Sequence, residues 1–376
     1  MRRITTLLLI LLTCFVLAAW PQARPQWGNP KIITFDVLGA GTGSGQGTVG
    51  FGIVRGDWVM GWYIDSVNAS HGFLRAPDGD ISEFDAPDAG TGYGQGTEPY
   101  GMNPELAIAG IYTDTNNVYH GFVRTPDGTL TEFDAPDAGK DPGQGTIAWN
   151  INSKGEIAGW YVDSSGVSNG FLRAPDGTIA KFNVGGAGKG AGEGTFTCGF
   201  SGETQNGTVA GNYGEGPLPW HGYVRAPNGT ITKYDVPGGG TGAGQGTMSS
   251  SINEAGAITG IYVGANNVNH AFLRNPDGTI TKFDVPGAGI GAGQGTLGYN
   301  INAAGSIAGF YIDKNNVSHG FVRDPSATIT KFNAPGAGTG AGQGTLAQTN
   351  SPAGAIAGYY VDSNGVYHGF LRLADR

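Results

Sequence analysis

His71-Gly72-Phe73-Leu74-Arg75 returns as His120-Gly121-Phe122-Val123-Arg124 and five more times, ending at His368-Gly369-Phe370-Leu371-Arg372. The intervals are 49, 49, 52, 49, 49 and 49 residues, and every His in the chain opens one of these copies; the third copy carries Asn169 instead. A period near 49 holding several short apolar runs is the signature of a β repeat array. Repeats that share one core form one domain, so the 376 residues need not be divided as length alone would suggest.

The unit is plainest from Gly295 to Pro335. Thr296 to Asn302, Ser306 to Asp313, Val317 to Arg323 and Thr328 to Asn333 read as four strands separated by Gly-, Asn- and Pro-bearing turns. Pro77-Asp78-Gly79 is representative of the last turn: Pro presets φ, Asp bonds back to the backbone and Gly accepts positive φ. Helical periodicity is absent after the leader. Four short strands per repeat, seven times, predict an all-β, seven-bladed β-propeller of four-stranded antiparallel blades; a β-helix is the alternative, with coils that are normally shorter. The fourth strand of each complete copy ends in an aromatic residue followed by Asp or Asn, as in Phe84-Asp85 and Phe332-Asn333. Only four residues follow Arg372, whereas Ile32-Ile33-Thr34-Phe35-Asp36 stands ahead of the first copy. The ring is therefore expected to be closed by the N-terminal strand, with residues 31–37 completing the last blade of a single domain spanning 31–376. Gly61, Gly110, Gly159, Gly211, Gly260, Gly309 and Gly358 sit inside the second strands, with Tyr two positions later. Gly within a strand marks close approach, and the expected visitor is an aromatic ring from the next blade.

The repeats resemble the bacterial extracellular HAF-repeat family, named for a His-Ala-Phe triplet. His270-Ala271-Phe272 spells it, and the Asn-x-x-Gly turn recurs at Asn152 to Gly155 and Asn302 to Gly305. The resemblance covers residues 31–376 and implies secretion and a propeller-like repeat; it brings no catalytic residues.

Met1-Arg2-Arg3, the apolar run Ile4 to Trp20 and small residues at Ala18, Ala19 and Ala23 read as a signal peptide over 1–23, followed by a linker over 24–30. An uncleaved anchor and a lipoprotein site at Leu12-Thr13-Cys14 are the alternatives. Cleavage would remove two Arg and no acid, taking the formal charge from −9 to −11. Such an acidic chain argues against nucleic acid and anionic lipid as partners. The expected location is secreted, extracellular or periplasmic, with no membrane association after cleavage, and the expected state is a monomer. Cys198 is then the one remaining cysteine, so no internal disulfide forms.

Gly-rich connectors, such as Pro286 to Gly295 and Pro335 to Gly344, join one blade to the next. Their Gly-x-Gly-x-x-Gly-like spacing lacks the following helix that a dinucleotide site needs. Asp88 and Asp137, in two connectors, fall short of the regular Asp of calcium-binding repeats. The connectors read as crossings over the blade ends, with Gln46, Gln95, Gln144, Gln245, Gln294 and Gln343 bonding backbone and Glu193 taking that place in the fourth copy. Hairpin arithmetic sets His71 opposite Asp85, His120 opposite Asp134, His221 opposite Asp235, His270 opposite Asp284 and His368 opposite Asp36. Where His becomes Asn169, the Asp becomes Asn183, while His319 faces Asn333. Correlated loss favours structural pairs over catalytic ones. A ring of six His as a metal site is excluded by the distance between outer strands of separate blades, and no metal or other cofactor is expected. The seven motif Arg, from Arg75 to Arg372, are expected to be solvated and bonded to backbone, with Glu83 and Glu132 as candidate partners and an anion site per blade as the alternative.

Near-identical blades favour a non-enzymatic binding or display module, since an active site would break the symmetry. The connectors and the second-to-third-strand turns should share one face. Tyr93, Tyr119, Trp220 and Tyr367 are the aromatic candidates there, beside the six Gln, for extracellular carbohydrate or a cell-surface protein. The alternative is a propeller glycoside hydrolase or polysaccharide lyase. The irregular fourth copy, with three extra residues, Cys198, Glu203 and the segment from Glu215 to Trp220, is where it would show. No catalytic residue is assigned, because no base is placed beside the thiol.

Overall fold

The glycine that opens each first strand decides how the repeats are joined. Gly47, Gly96 and Gly145 adopt φ of 118°, 112° and 121°, values that L side chains rarely take. A Cβ on Gly96 would fall onto the carbonyl oxygen of Ser70, in the third strand of the preceding repeat. Its absence lets the two backbones make a parallel bridge, Ser70 to Gly96. The bridge recurs at Tyr119–Gly145, Ser168–Gly194, Trp220–Gly246, Asn269–Gly295, Ser318–Gly344 and Tyr367–Gly47.

These bridges correct the expected architecture. The computed structural model describes residues 31–199, 207–214 and 219–374. Among them are 28 strands in seven repeats of four, and no helix. They are not a seven-bladed β-propeller of separate four-stranded blades: all 28 strands belong to one hydrogen-bonded sheet. The sheet is a closed, barrel-like and propeller-like ring whose circuit runs through 21 strands, the first three of each repeat. The fourth strands hang outside that circuit. Nor does the N-terminal strand close it, for the circuit closes at Tyr367–Gly47. Ile32–Phe35 pairs on the outside, Ile32 with Arg372 through to Phe35 with Gly369, and so supplies the seventh repeat's fourth strand. The expected signal peptide (1–23) and linker (24–30), together with Glu203 and Glu215, lie outside the described residues.

Within a repeat the strands form an antiparallel meander. In the first repeat these are Gly47–Ile53, Val59–Ile64, Ser70–Arg75 and Ile81–Phe84. The second-strand glycine lies opposite the motif Phe, Gly61 with Phe73. A Cβ on Gly61 would lie 3.0 Å from the Phe73 ring and fall onto the carbonyl of Val49. The ring at this glycine thus comes from the same repeat, which corrects the expectation of a ring from the next one. The motif Gly has a parallel role, since a Cβ on Gly121 would meet the Phe133 ring at 2.7 Å.

Repeats pack face to face. Met60 and Leu74 of the first repeat share a buried cluster with Ile108 and Phe122 of the second. The motif Arg complete this interface. Each lies over the fourth-strand aromatic ring of the preceding repeat: Arg124 over Phe84 at 4.9 Å, Arg173 over Phe133 at 4.6 Å and, across the closure, Arg75 over Phe35 at 5.1 Å. Desolvated contacts of this kind are worth about 2 kcal/mol each. Arg75, Arg173, Arg274, Arg323 and Arg372 are therefore buried rather than solvated, Arg372 at 1% exposed, and Arg124 and Arg225 are half-buried. Arg75, Arg173, Arg274 and Arg323 make the expected backbone bond, each donating from Nη1 to the carbonyl of the next residue, as from Arg75 to the Ala76 carbonyl at 3.1 Å. The carboxylates proposed as their partners are engaged elsewhere: Glu83 accepts from the Tyr63 hydroxyl at 2.8 Å and Glu132 from the Asp88 amide at 3.2 Å.

Every first strand carries a register shift after its fourth residue, between Ala148 and Asn150 in the third repeat and between Ala347 and Thr349 in the seventh. A bulge of this kind re-aims the side chains that follow it. Phe51 and Trp149, from repeats one and three, come within 6.4 Å of each other, and Tyr100 stacks on Trp149 at 4.7 Å, so aromatic rings fill one side of the axis.

Candidate functional site

The third-to-fourth-strand hairpin places the motif His opposite the residue that follows the fourth-strand aromatic ring. His71 Nδ1 lies 2.8 Å from Asp85 and His221 Nδ1 2.8 Å from Asp235. The distances are 2.9 Å for His120–Asp134, 2.9 Å for His270–Asp284 and 3.0 Å for His368–Asp36. In the third repeat Asn183 Nδ2 donates to Asn169 Oδ1 at 2.8 Å, and His319 Nδ1 lies 2.9 Å from Asn333 Oδ1.

Two further members of this cluster escaped the sequence reading. The second-strand Tyr stacks on the His, Tyr63 on His71 and Tyr112 on His120, each at 4.8 Å. The turn Asp six residues before the His faces its Nε2, Asp65 at 3.6 Å and Asp114 at 3.7 Å. Register would have shown the first, because Gly61 opposite Phe73 puts Tyr63 opposite His71. The repeated six-residue spacing was the signal for the second.

His71, His120 and His368 are thus held between two carboxylates against an aromatic face, whereas His270 has Gly264 at the turn position and His319 has Asn333 in place of the second Asp. At His120 the hydrogen bond that the ring donates to Asp134 raises the imidazole above its ordinary value near 6.5, against the opposing effect of burial, with the charges of Asp134 and Asp114 adding to the rise. A group raised in the folded state adds stability that is full below its unfolded pKa and fades as pH climbs through the higher folded value. Titration of the His120 ring by NMR should give a midpoint above 6.5, and Asp134→Asn should lower it. An unchanged midpoint in the variant would show that the pair does not set the charge.

The six Gln are clamps. Gln95 Oε1 accepts from the Gly92 amide at 2.9 Å, while its Nε2 donates to the Thr115 carbonyl at 3.3 Å and to Asn117 Oδ1 at 3.2 Å. Gln46, Gln144, Gln245, Gln294 and Gln343 likewise tie their own connector to the neighbouring second-to-third-strand turn. Glu193 retains the first half of the clamp, accepting from the Gly190 amide at 2.7 Å.

Connectors and these turns share one face of the ring. Tyr119, Trp220 and Tyr367 open third strands there and are half-buried. Trp220 packs on Phe196 at 5.1 Å and Tyr367 on Tyr359 at 5.5 Å. Tyr93 stands apart from them on its connector and is 82% exposed. The large apolar side chains recorded as exposed among the described residues are Leu38, Val67, Tyr93 and Ile290. All four belong to connectors or second-to-third-strand turns. In the fourth repeat Cys198 accepts a hydrogen bond from Asn212 Nδ2 at 2.9 Å, and burial pushes its thiol up to about 12. That keeps it from acting as a thiolate nucleophile at neutral pH. Among the described residues no group of three His, Cys, Asp or Glu is placed to hold a metal ion.

No family model and no curated protein matches the chain. Among solved structures, a lectin from Burkholderia pseudomallei is similar with a TM-score of 0.56 at 10% identity, over 93% of this chain and 97% of the lectin. A prolyl endopeptidase is similar with a TM-score of 0.50 at 10% identity, over 83% of this chain and 46% of the peptidase. A puromycin hydrolase follows at 0.47 and 12% identity, and this chain spans about half of that protein, 53% of its length. At such identities the likeness is one of fold: an all-β, propeller-like ring of repeats.

Proposed function

We propose that the chain is a secreted, non-enzymatic binding module of the HAF-repeat kind, which engages extracellular carbohydrate or cell-surface glycans at its connector face. The observation that carries this reading is the placement of the exposed large apolar side chains. Leu38, Val67, Tyr93 and Ile290 all lie on that one face, amid Gly, Thr, Ser and Asn. Tyr93 is the aromatic member of this set, and apolar side chains with an aromatic ring beside neutral hydrogen-bonding groups suit sugars, whose rings offer an apolar C–H surface and a rim of hydroxyls. The similar lectin fold supports the same class of ligand. The motif His and the connector Gln are spent on holding the scaffold, so contact falls to Tyr93, Tyr119, Trp220 and Tyr367. Sites repeated around a ring bind weakly one at a time and gain strength by avidity.

A glycan array followed by calorimetry tests this. The expected isotherm shows several weak sites per chain, with fewer or weaker sites in Tyr93→Ala and Tyr119→Ala. A single tight site in the fourth repeat, or release of reducing or unsaturated sugar ends, would favour a glycoside hydrolase or polysaccharide lyase instead.

A further inference from the structure

On the axis, at the mouth opposite the connectors, lies a cavity of about 90 Å³ that the connector face does not share. Tyr100, Asn150, Ser251, Asn300, Thr349 and Asn350 line it. Asn150, Ser251, Asn300 and Thr349 each follow the bulge of their first strand, while the corresponding residues of repeats one and two are Gly52 and Gly101, also in its wall. The polar side of the cavity is therefore built by repeats three, five, six and seven. It has no counterpart in the sevenfold pattern of the outer strands.

Its hydrogen-bonding capacity is unevenly used. Asn350 Nδ2 donates to the Ser306 carbonyl at 2.9 Å, which fixes the orientation of the amide. Asn350 Oδ1 is buried with no hydrogen-bond partner, on a residue only 5% exposed. Ser251 Oγ accepts from Asn300 Nδ2 at 3.1 Å and from the Ile301 amide at 3.4 Å, so its own hydrogen is left to donate. Thr349 Oγ1 donates to the Phe51 carbonyl at 2.7 Å and keeps its acceptor lone pairs. No charged side chain lines the cavity among the described residues. A buried ion would find no counter-charge there, and desolvating it without one is costly.

We propose that this cavity binds one neutral, polyhydroxylated residue per chain, a monosaccharide or the terminal residue of a glycan. A hydroxyl both donates and accepts, which is what Asn350 Oδ1, Thr349 Oγ1 and the Ser251 hydroxyl require together. Met60 and Met102 supply an apolar wall for the C–H side of the ring. At roughly 15 Å³ for each ordered water, the space holds about six waters, a cluster that one pyranose would displace. This site is separate from the connector face and does not depend on carbohydrate binding there.

Calorimetry on the full chain with glucose, galactose, mannose and fucose, from micromolar to tens of millimolar, tests it. At least one sugar should bind one-to-one, about ten-fold more weakly in Asn350→Leu and in Thr349→Val. The two variants guard against misfolding of either, which circular dichroism would report. Equal binding of the methyl glycoside supports a glycan end as the occupant, and its loss supports the free sugar. Absence of any one-to-one event overturns the proposal, as does unchanged affinity in both folded variants, or tighter binding of glucosamine or glucuronate than of glucose. The Asn350 variant should keep the multi-site binding of the connector face, so failure of either reading is seen separately.

Discussion

Gly159→Ala is expected to cost about 3 kcal/mol or more of folding stability, although it adds a single methyl group. Gly159 lies in the middle of a second strand, paired with Ala148 on one side and Phe171 on the other. The new Cβ would fall onto the Ile147 carbonyl oxygen and stand 2.8 Å from the Phe171 ring. A ring can turn aside, but the carbonyl belongs to a strand paired in register and cannot. Gly170→Ala is the control. Its Cβ would stand 2.7 Å from the Phe182 ring with no backbone atom closer. The fifth repeat already carries Ala271 at this position, opposite Phe283. A cost of about 1 kcal/mol or less is expected for the control. Urea unfolding of both variants decides the matter, and equal midpoints for the two would refute the argument.

Deleting residues 31–37 should lower the melting temperature by about 10 °C and promote aggregation. The loss includes buried Val37, half-buried Ile32, Ile33 and Phe35, the ring under Arg75 and the Asp36 partner of His368. Together the apolar groups are worth about 5 kcal/mol. The circuit itself should survive, because its closing bridge joins Tyr367 to Gly47. What the deletion exposes is the edge of Tyr367–Arg372, open to pairing with another chain. A melting curve matching that of the intact chain would contradict this role for Ile32–Phe35.

The placement of Ile32–Phe35 was legible because hairpin pairing is arithmetic: a motif at fixed spacing with one strand missing points to the segment that fits. The same arithmetic brought His120 to Asp134. It failed where a contact depends on a single residue per repeat. Gly96 reads like any other connector glycine, yet its approach to Ser70 is what merges the repeats into one sheet. The glycine slot was assigned to the wrong repeat because spacing within a unit is the same whether the visiting ring is its own or its neighbour's. The axial cavity was hidden for another reason. A bulge after Ala148 leaves the composition of the strand untouched while redirecting Asn150. The buried Arg were misjudged because charge suggests solvent, and only the interface reveals the ring of Phe133 beneath Arg173.

The pairing of Ile32–Phe35 with Tyr367–Arg372 also sets an order of events in folding. His120 and Asp134 are 14 residues apart, whereas His368 and Asp36 are 332 apart. Closing the longer loop costs about 3 kcal/mol more in chain entropy. The six other repeats can each collapse locally, but the last waits for both ends of the described chain to meet. Until then the first and seventh repeats each leave one apolar face bare, Ile53 and Val59 on one and Ala357 and Leu371 on the other. The ring is thus most adhesive in the interval before it closes, and the seam where Leu373 donates to the Lys31 carbonyl at 2.9 Å is the last joint to set.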